Sequence, residues 1–150
     1  MSGNLLCCPM HFVWSTSNRE PMISPEWQGR LYSYIGGILK KKNSRLIRAG
    51  GLSDHIHLLV SVPSTITFGD LVNAIKSNSS RWVHDNFRKS RSFAWQNGYG
   101  GFAVSKSLEP RVMNYITNQE KHHRKADFKK EFIALLEKHR VEYDERYLWD

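Results

Sequence analysis

The apolar positions change period along the chain, and each change marks an element. Residues 5–15 (LLCCPMHFVWS) are apolar with β-forming residues at their end, and they predict an opening strand. Ser24-Pro25-Glu26 carries a helix-start signal, with Ser at the cap and Pro in the first turn. Trp27, Leu31, Tyr34, Ile35, Ile38 and Leu39 then recur at helical spacing to about Lys42, and the run Lys40-Lys41-Lys42 suits a helix C-terminus. Residues 45–49 predict a short strand. Gly50-Gly51 follows, and residues 55–62 (HIHLLVSV) predict a partner strand that completes a hairpin. Thr67 opens a second helix on Leu71, Val72, Ile75, Ser79, Trp82 and Val83, with Lys76 and Arg81 on its opposite face. Residues 93–107 predict a short strand, a bend at Gly98, Gly100 and Gly101, and another strand at 102–104. A helix follows from about 109 to 125. A last helix, 128–139, turns Phe128, Phe132, Leu135 and Leu136 inward, and the aromatic, acidic tail 141–150 is expected to wrap the body.

Strand, helix, strand, strand, helix, strand is the split βαβ order. The expected class is α+β: a ferredoxin-like (RRM-like) antiparallel sheet with helices on one face and an added C-terminal helical segment. The second face is expected to stay free for a ligand or partner. No repeat and no Pro/Gly/Ser linker divides the chain, so residues 1–150 read as one domain.

Composition narrows the classes. Of 150 residues, 40% are hydrophobic and 12% aromatic, enough for a real core and against disorder for most of the chain. No apolar run approaches the roughly 20 residues of a membrane span. Residues 1–9 lack the charged and apolar regions of a signal peptide. The only cysteines, Cys7 and Cys8, are adjacent, which excludes a disulfide scaffold and a cysteine-rich zinc module and suits a reducing cytoplasm. A net charge of +8 points to a polyanionic partner. Nucleic acid is favoured over a membrane, because no basic amphipathic helix stands apart from the predicted fold.

Two spacings could carry chemistry. In His55-Ile56-His57 on a strand, the imidazoles share one face and Ile56 turns to the other. Two neutral imidazoles side by side are a natural ligand pair for a metal, though the same pattern also describes two polar residues on a wet face. In Tyr115-Ile116-Thr117-Asn118-Gln119, positions i and i+4 share a helix face. Tyr115 offers a nucleophilic hydroxyl and Gln119 an amide oxygen, or else they are a core tyrosine beside an exposed glutamine.

These residues sit in an ordered set of motifs. His55-Ile56-His57 lies within Gly50-Gly51-Leu52-Ser53-Asp54-His55-Ile56-His57-Leu58-Leu59-Val60, followed by Asn78-Ser79-Ser80-Arg81-Trp82 and by Phe93-Ala94-Trp95-Gln96-Asn97-Gly98-Tyr99-Gly100. Tyr115-Ile116 leads into Asn118-Gln119-Glu120 and His122-His123, and the chain closes on Glu142-Tyr143-Asp144-Glu145-Arg146-Tyr147-Leu148-Trp149. From about Met10 onward, this set resembles the HUH single-tyrosine transposases of small, IS200-like insertion sequences, including the REP-associated tyrosine transposases.

The resemblance implies that His55 and His57 are metal ligands with Gln119 as the third, that the ion is Mg2+ or Mn2+, and that Tyr115 is the single nucleophile. It implies a DNA strand-transfer enzyme acting on single-stranded DNA with hairpin ends. It also implies a homodimer, in many family members with the tyrosine helix of one subunit completing the other's site, and leaves open whether the site is built in cis or in trans; the bend at 98–101 is a candidate hinge. Arg19, Arg45, Lys76 and Arg81 are candidate phosphate contacts, and Trp14, Trp95 and Tyr99 candidate base-stacking residues. His11, on the strand beside the His pair, and His122, seven residues past Tyr115, are candidates for supporting that site. A domesticated REP-associated nickase and a non-catalytic RRM-like binding module remain open alternatives, as does a zinc hydrolase. Gly98-Tyr99-Gly100-Gly101-Phe102-Ala103 matches a dinucleotide fingerprint on paper, but a β-like run follows where a helix is required.

Overall fold

A computed structural model describes residues 5–123 and 126–149. Four strands form one antiparallel sheet: β1 (Pro9–Ser15), β2 (Arg45–Leu52), β3 (His55–Ser61) and β4 (Gly100–Ala103). Their spatial order is β2-β3-β1-β4, so β1 and β3 are central. Both are buried on both faces almost throughout, which explains why their sequences are apolar runs rather than alternations. Ser53-Asp54 joins β2 to β3 in the expected hairpin, whose paired residues include Leu52 and His55.

Alternation within the central strands divides the core. Phe12, Trp14, Ile56, Leu58 and Val60 face α1 (Gln28–Lys41) and α2 (Phe68–Asn86). Thr67 caps α2 as the sequence predicts, accepting from the Asp70 backbone N–H at 3.1 Å. The first helix starts later than predicted. Residues 25–27 form a turn, and the Ser24 hydroxyl accepts from the Glu26 N–H at 3.2 Å.

The second sheet face is not free. Val13, Leu59, Phe102 and Val104 are apolar there and need a cover. They receive α3 (Glu109–Thr117) and, beyond the short turn α4 (Gln119–His122), the last helix α5 (Phe128–Lys138). The predicted helix over 109–125 therefore breaks at Asn118 (φ −97°, ψ 28°), and its predicted end at Lys125 lies outside the described residues. Asp127 caps α5, accepting from the Lys130 N–H at 3.0 Å.

Two glycines allow these helices to close on the sheet. A Cβ on Gly50 would lie 2.3 Å from the Ile116 carbonyl oxygen of α3, and one on Gly100 would lie 2.5 Å from the Phe132 ring of α5. Gly100 and Gly101 thus belong to a paired strand, not to a hinge. Phe93 to Gly98 forms no strand beyond a single bridge between Thr16 and Trp95. In the tail only Leu148 and Trp149 pack on the body, beside Phe132, while residues 141–147 are exposed and Asp150 lies outside the described residues.

Candidate active site

The His pair is the floor of the site. His55 and His57 project from β3 onto the α3/α5 face with ring centroids 5.1 Å apart, and both are 0% exposed. Each imidazole is fixed from behind. Asp54 Oδ1 lies 2.7 Å from His55 Nδ1, and His11 Nε2 lies 2.8 Å from His57 Nδ1. His11 reaches His57 because β1 pairs with β3, with His11 opposite Leu59 and Val13 opposite His57, a diagonal neighbour relation. These contacts free both Nε2 atoms to face the helices.

The helices supply the rest. Gln119 Oε1 lies 2.8 Å from His55 Nε2, and its amide donates to Glu131 Oε2 at 3.0 Å. Glu131 Oε1 lies 3.1 Å from His57 Nε2, 3.6 Å from His55 Nε2 and 3.0 Å from His123 Nε2. The Tyr115 hydroxyl donates to Glu131 Oε2. One buried carboxylate thus links the His pair, the glutamine and the phenol.

Electrostatics follow from this packing. Burial opposes charging of the Glu131 carboxylate. Hydrogen bonds from His123, His57 and the Tyr115 hydroxyl outweigh burial and hold Glu131 far below the glutamate range. Burial and the neighbouring Glu131 charge push the Tyr115 phenol well above its ordinary value, so it rests protonated. Burial keeps His11 and His57 below the usual imidazole range, hence neutral and able to ligate. For His123, burial lowers the value, but the bond to Glu131 together with the charges of Glu131, Asp54 and Asp127 raises it above the ordinary imidazole range.

The donor set fits a divalent ion. His55, His57 and Glu131 offer ligand atoms all within 4.8 Å of one another. Asp54 Oδ1 stands against His55 Nδ1 while the Gln119 and Glu131 oxygens converge on Nε2, so acceptors bracket the ring on both sides. Acceptors converging on acceptors in a buried site are reconciled by a cation.

The sequence-predicted residues sort as follows. His55, His57, Tyr115, Gln119 and His11 converge within one chain. Among the described residues, β4 connects to α3 through a short 3-10 turn (Lys106–Leu108). His122 is exposed, its ring 4.5 Å from that of Tyr115. Arg45 and Arg81 are exposed, Arg81 on the helix across the sheet from the His pair, and Arg19 lies over the Trp149 ring. Lys76 has a different task from the expected one. Its ammonium donates to the carbonyls of Gln96, Asn97 and Gly98 at 2.7–3.1 Å, and burial lowers it to about 8. Trp14 and Trp95 are buried in the core, away from any base, whereas Tyr99 is partly exposed.

Glu131, His123 and Asp54 were missed by sequence reasoning. A signal for Glu131 existed: it lies three residues after Phe128 and four before Leu135, on the apolar stripe of its helix, where an acid needs a partner.

Comparison with known proteins places this geometry. The profile of the family described as "Transposase IS200 like" matches residues 5–119. The transposase for insertion sequence element IS200 of Salmonella typhimurium is 25% identical over 118 residues, covering 75% of this chain and 76% of that one. The ISDra2 transposase of Deinococcus radiodurans is 23% identical over 114 residues, covering 73% and 81%. Among solved structures, one described as a transposase from Deinococcus radiodurans superposes with a TM-score of 0.64 at 22% identity, over 79% of this chain and 95% of that one. A REP-associated tyrosine transposase bound to a REP hairpin superposes with a TM-score of 0.58 at 18% identity, over 81% and 74%. At these identities the structures speak for the fold.

Proposed function

The chain belongs to the IS200-like transposase family, and from that premise we propose that it cuts and rejoins single-stranded DNA with hairpin ends through a 5′-phosphotyrosine on Tyr115, with Mg2+ or Mn2+ as cofactor. The observation that carries this reading is the shared carboxylate: Glu131 touches His57 through one oxygen and the Tyr115 hydroxyl through the other. The hairpin assignment draws on the REP-hairpin-bound neighbour.

When bound at His55, His57, Glu131 and Gln119, a divalent ion would withdraw charge from the scissile phosphate and fix its orientation. Tyr115 is the nucleophile. Its oxygen forms the bond to phosphorus as the bond to the 3′ oxygen breaks, leaving a 5′-phosphotyrosine and a free 3′-OH. Glu131 Oε2 already accepts the phenol's hydrogen bond and is the proton acceptor within reach. A 3′-OH attacking the phosphotyrosine reverses the chemistry and joins a new strand, so bond energy is conserved and no nucleotide triphosphate is needed. His11 and Asp54 hold the two imidazoles in orientation. Exposed Arg45 and Arg81, with half-buried Arg19, supply positive charge for the DNA backbone.

The site needs one chain only, so we propose catalysis in cis within one domain. A homodimer is compatible with this but is not required to build the site. No described helix is long and apolar enough to cross a membrane, and action on cellular DNA fits the cytoplasm.

Labelled single-stranded DNA bearing candidate end hairpins, incubated with Mn2+, tests the reading. Wild type is expected to give a denaturant-resistant adduct that Tyr115→Phe and His57→Ala both lose. An adduct surviving Tyr115→Phe rejects the nucleophile. Mixing the two inactive variants is expected to restore nothing, and restored adduct would show that subunits share the site.

A further inference from the structure

Tyr115 is a wall between two cavities. On one side, a space of about 340 Å3 opens on Glu131, His122 and His123. On the other, a cleft of about 310 Å3 lies between β4, α3 and α5. Resting on the strand-cleavage reading above, we propose that this second cleft is a base pocket, holding the nucleobase of one nucleotide that flanks the scissile bond.

Three observations carry it. The walls are apolar: Phe102, Val104, Leu108, Val112 and Leu135 line the cleft, Leu108 is 48% exposed, and the lining His139 ring stacks on the Phe102 ring with centroids 4.5 Å apart. Base-on-aromatic and base-on-aliphatic contact is how single strands are gripped without pairing. The rim is cationic. Arg111 lies one turn before Tyr115 on the same helix face, Lys138 stands across from it, and neither has an ion-pair partner among the described residues. A phosphate attached to the bound base would meet both charges beside the nucleophile.

The floor carries an unspent polar group. His11 is 3% exposed and lines the cleft; its Nε2 contacts His57, while its Nδ1 has no partner among the described residues. His11 Nδ1 can hydrogen-bond a polar atom on a base edge, donating or accepting according to the tautomer that its bond to His57 sets. The occupant is thus a base with a polar edge, joined to a phosphate at the rim.

Equilibrium binding in chelator decides the matter, with a short mixed-sequence strand and an equally long strand stripped of its bases as probes. Wild type is expected to prefer the intact strand. Val112→Phe, which fills the cleft, is expected to cut that preference about tenfold at an unchanged melting temperature. Arg111→Ala is expected to weaken both strands alike and flatten the salt dependence. If Val112→Phe fails to fold, Leu108→Ala at the exposed mouth takes its place, with a smaller loss of preference expected. A folded variant that keeps the wild-type preference overturns the pocket. Adduct formation with Mn2+ is scored separately. Base preference without adduct rejects strand cleavage and leaves the pocket; adduct without a variant-sensitive preference does the reverse.

Discussion

On the α1/α2 side of the sheet, Phe12, Trp14, Ile56, Leu58 and Val60 interlock with the helices in a predominantly apolar layer, where buried Ser79 accepts from the Trp95 indole N–H. On the α3/α5 side, positions one residue away on the same strands carry His11, His55 and His57, and Gln119 and Glu131 are buried against them. The first layer gains from every methylene it excludes from water. The second buries polar groups that are tolerable only because each finds a partner, and losing one partner strands the others. One face therefore holds the fold together and the other holds a reaction centre at some expense of stability. Substitutions on the two faces should separate along those lines.

The largest expected effect is on the polar face. Glu131→Gln removes the proposed proton acceptor and the charged member of the His55/His57/Glu131 cluster, and adduct formation should fall by about 10²–10⁴-fold in a gel assay with Mn2+. A variant that folds and still forms adduct at the wild-type rate would remove the shared carboxylate from the chemistry. On the apolar face, Leu58→Ala should cost about 2–5 kcal/mol in urea unfolding while the surviving folded molecules form adduct normally. Activity lost in proportion beyond the unfolded fraction would mean the faces are not separable.

A third effect should appear in acid. Glu131 has a folded-state value below that of the unfolded chain, so its contribution to stability is complete above about pH 4.3 and is lost as the pH falls below that. Urea midpoints should drop over that window for wild type and less steeply for Glu131→Gln; parallel profiles would sever the link. The smallest effect belongs to neither layer. Arg81→Ala, on the exposed surface of α2, should change stability by less than about 0.5 kcal/mol. A large stability loss there would expose a third structural region.

Particular residues show why part of the site was readable and part was not. His55 and His57 declare their common face by a spacing of two, and Tyr115 and Gln119 declare theirs by a spacing of four. His11 was readable as a neighbour once the strand order was inferred. Glu131 was not, because its helix packs back on the sheet 74 residues from His57, a contact that no local period encodes. The expected open sheet face failed for a related reason. Strand periodicity identifies what faces that side, but not which later helix covers it. Lys76 was misread because a basic residue on a helix surface looks the same whether its ammonium meets a phosphate or three carbonyls of a distant loop.

By itself the sequence determined the order of elements, the split of β3 into an apolar and a histidine face, and the pairing of Tyr115 with Gln119, since each depends on the geometry of one strand or one helix. Only the tertiary structure decided that Glu131 joins the His pair to the phenol and that Gln119 and His11 meet them. Those outcomes depend on how closely α3 and α5 approach the sheet, which Gly50 and Gly100 permit by leaving room for Ile116 and Phe132.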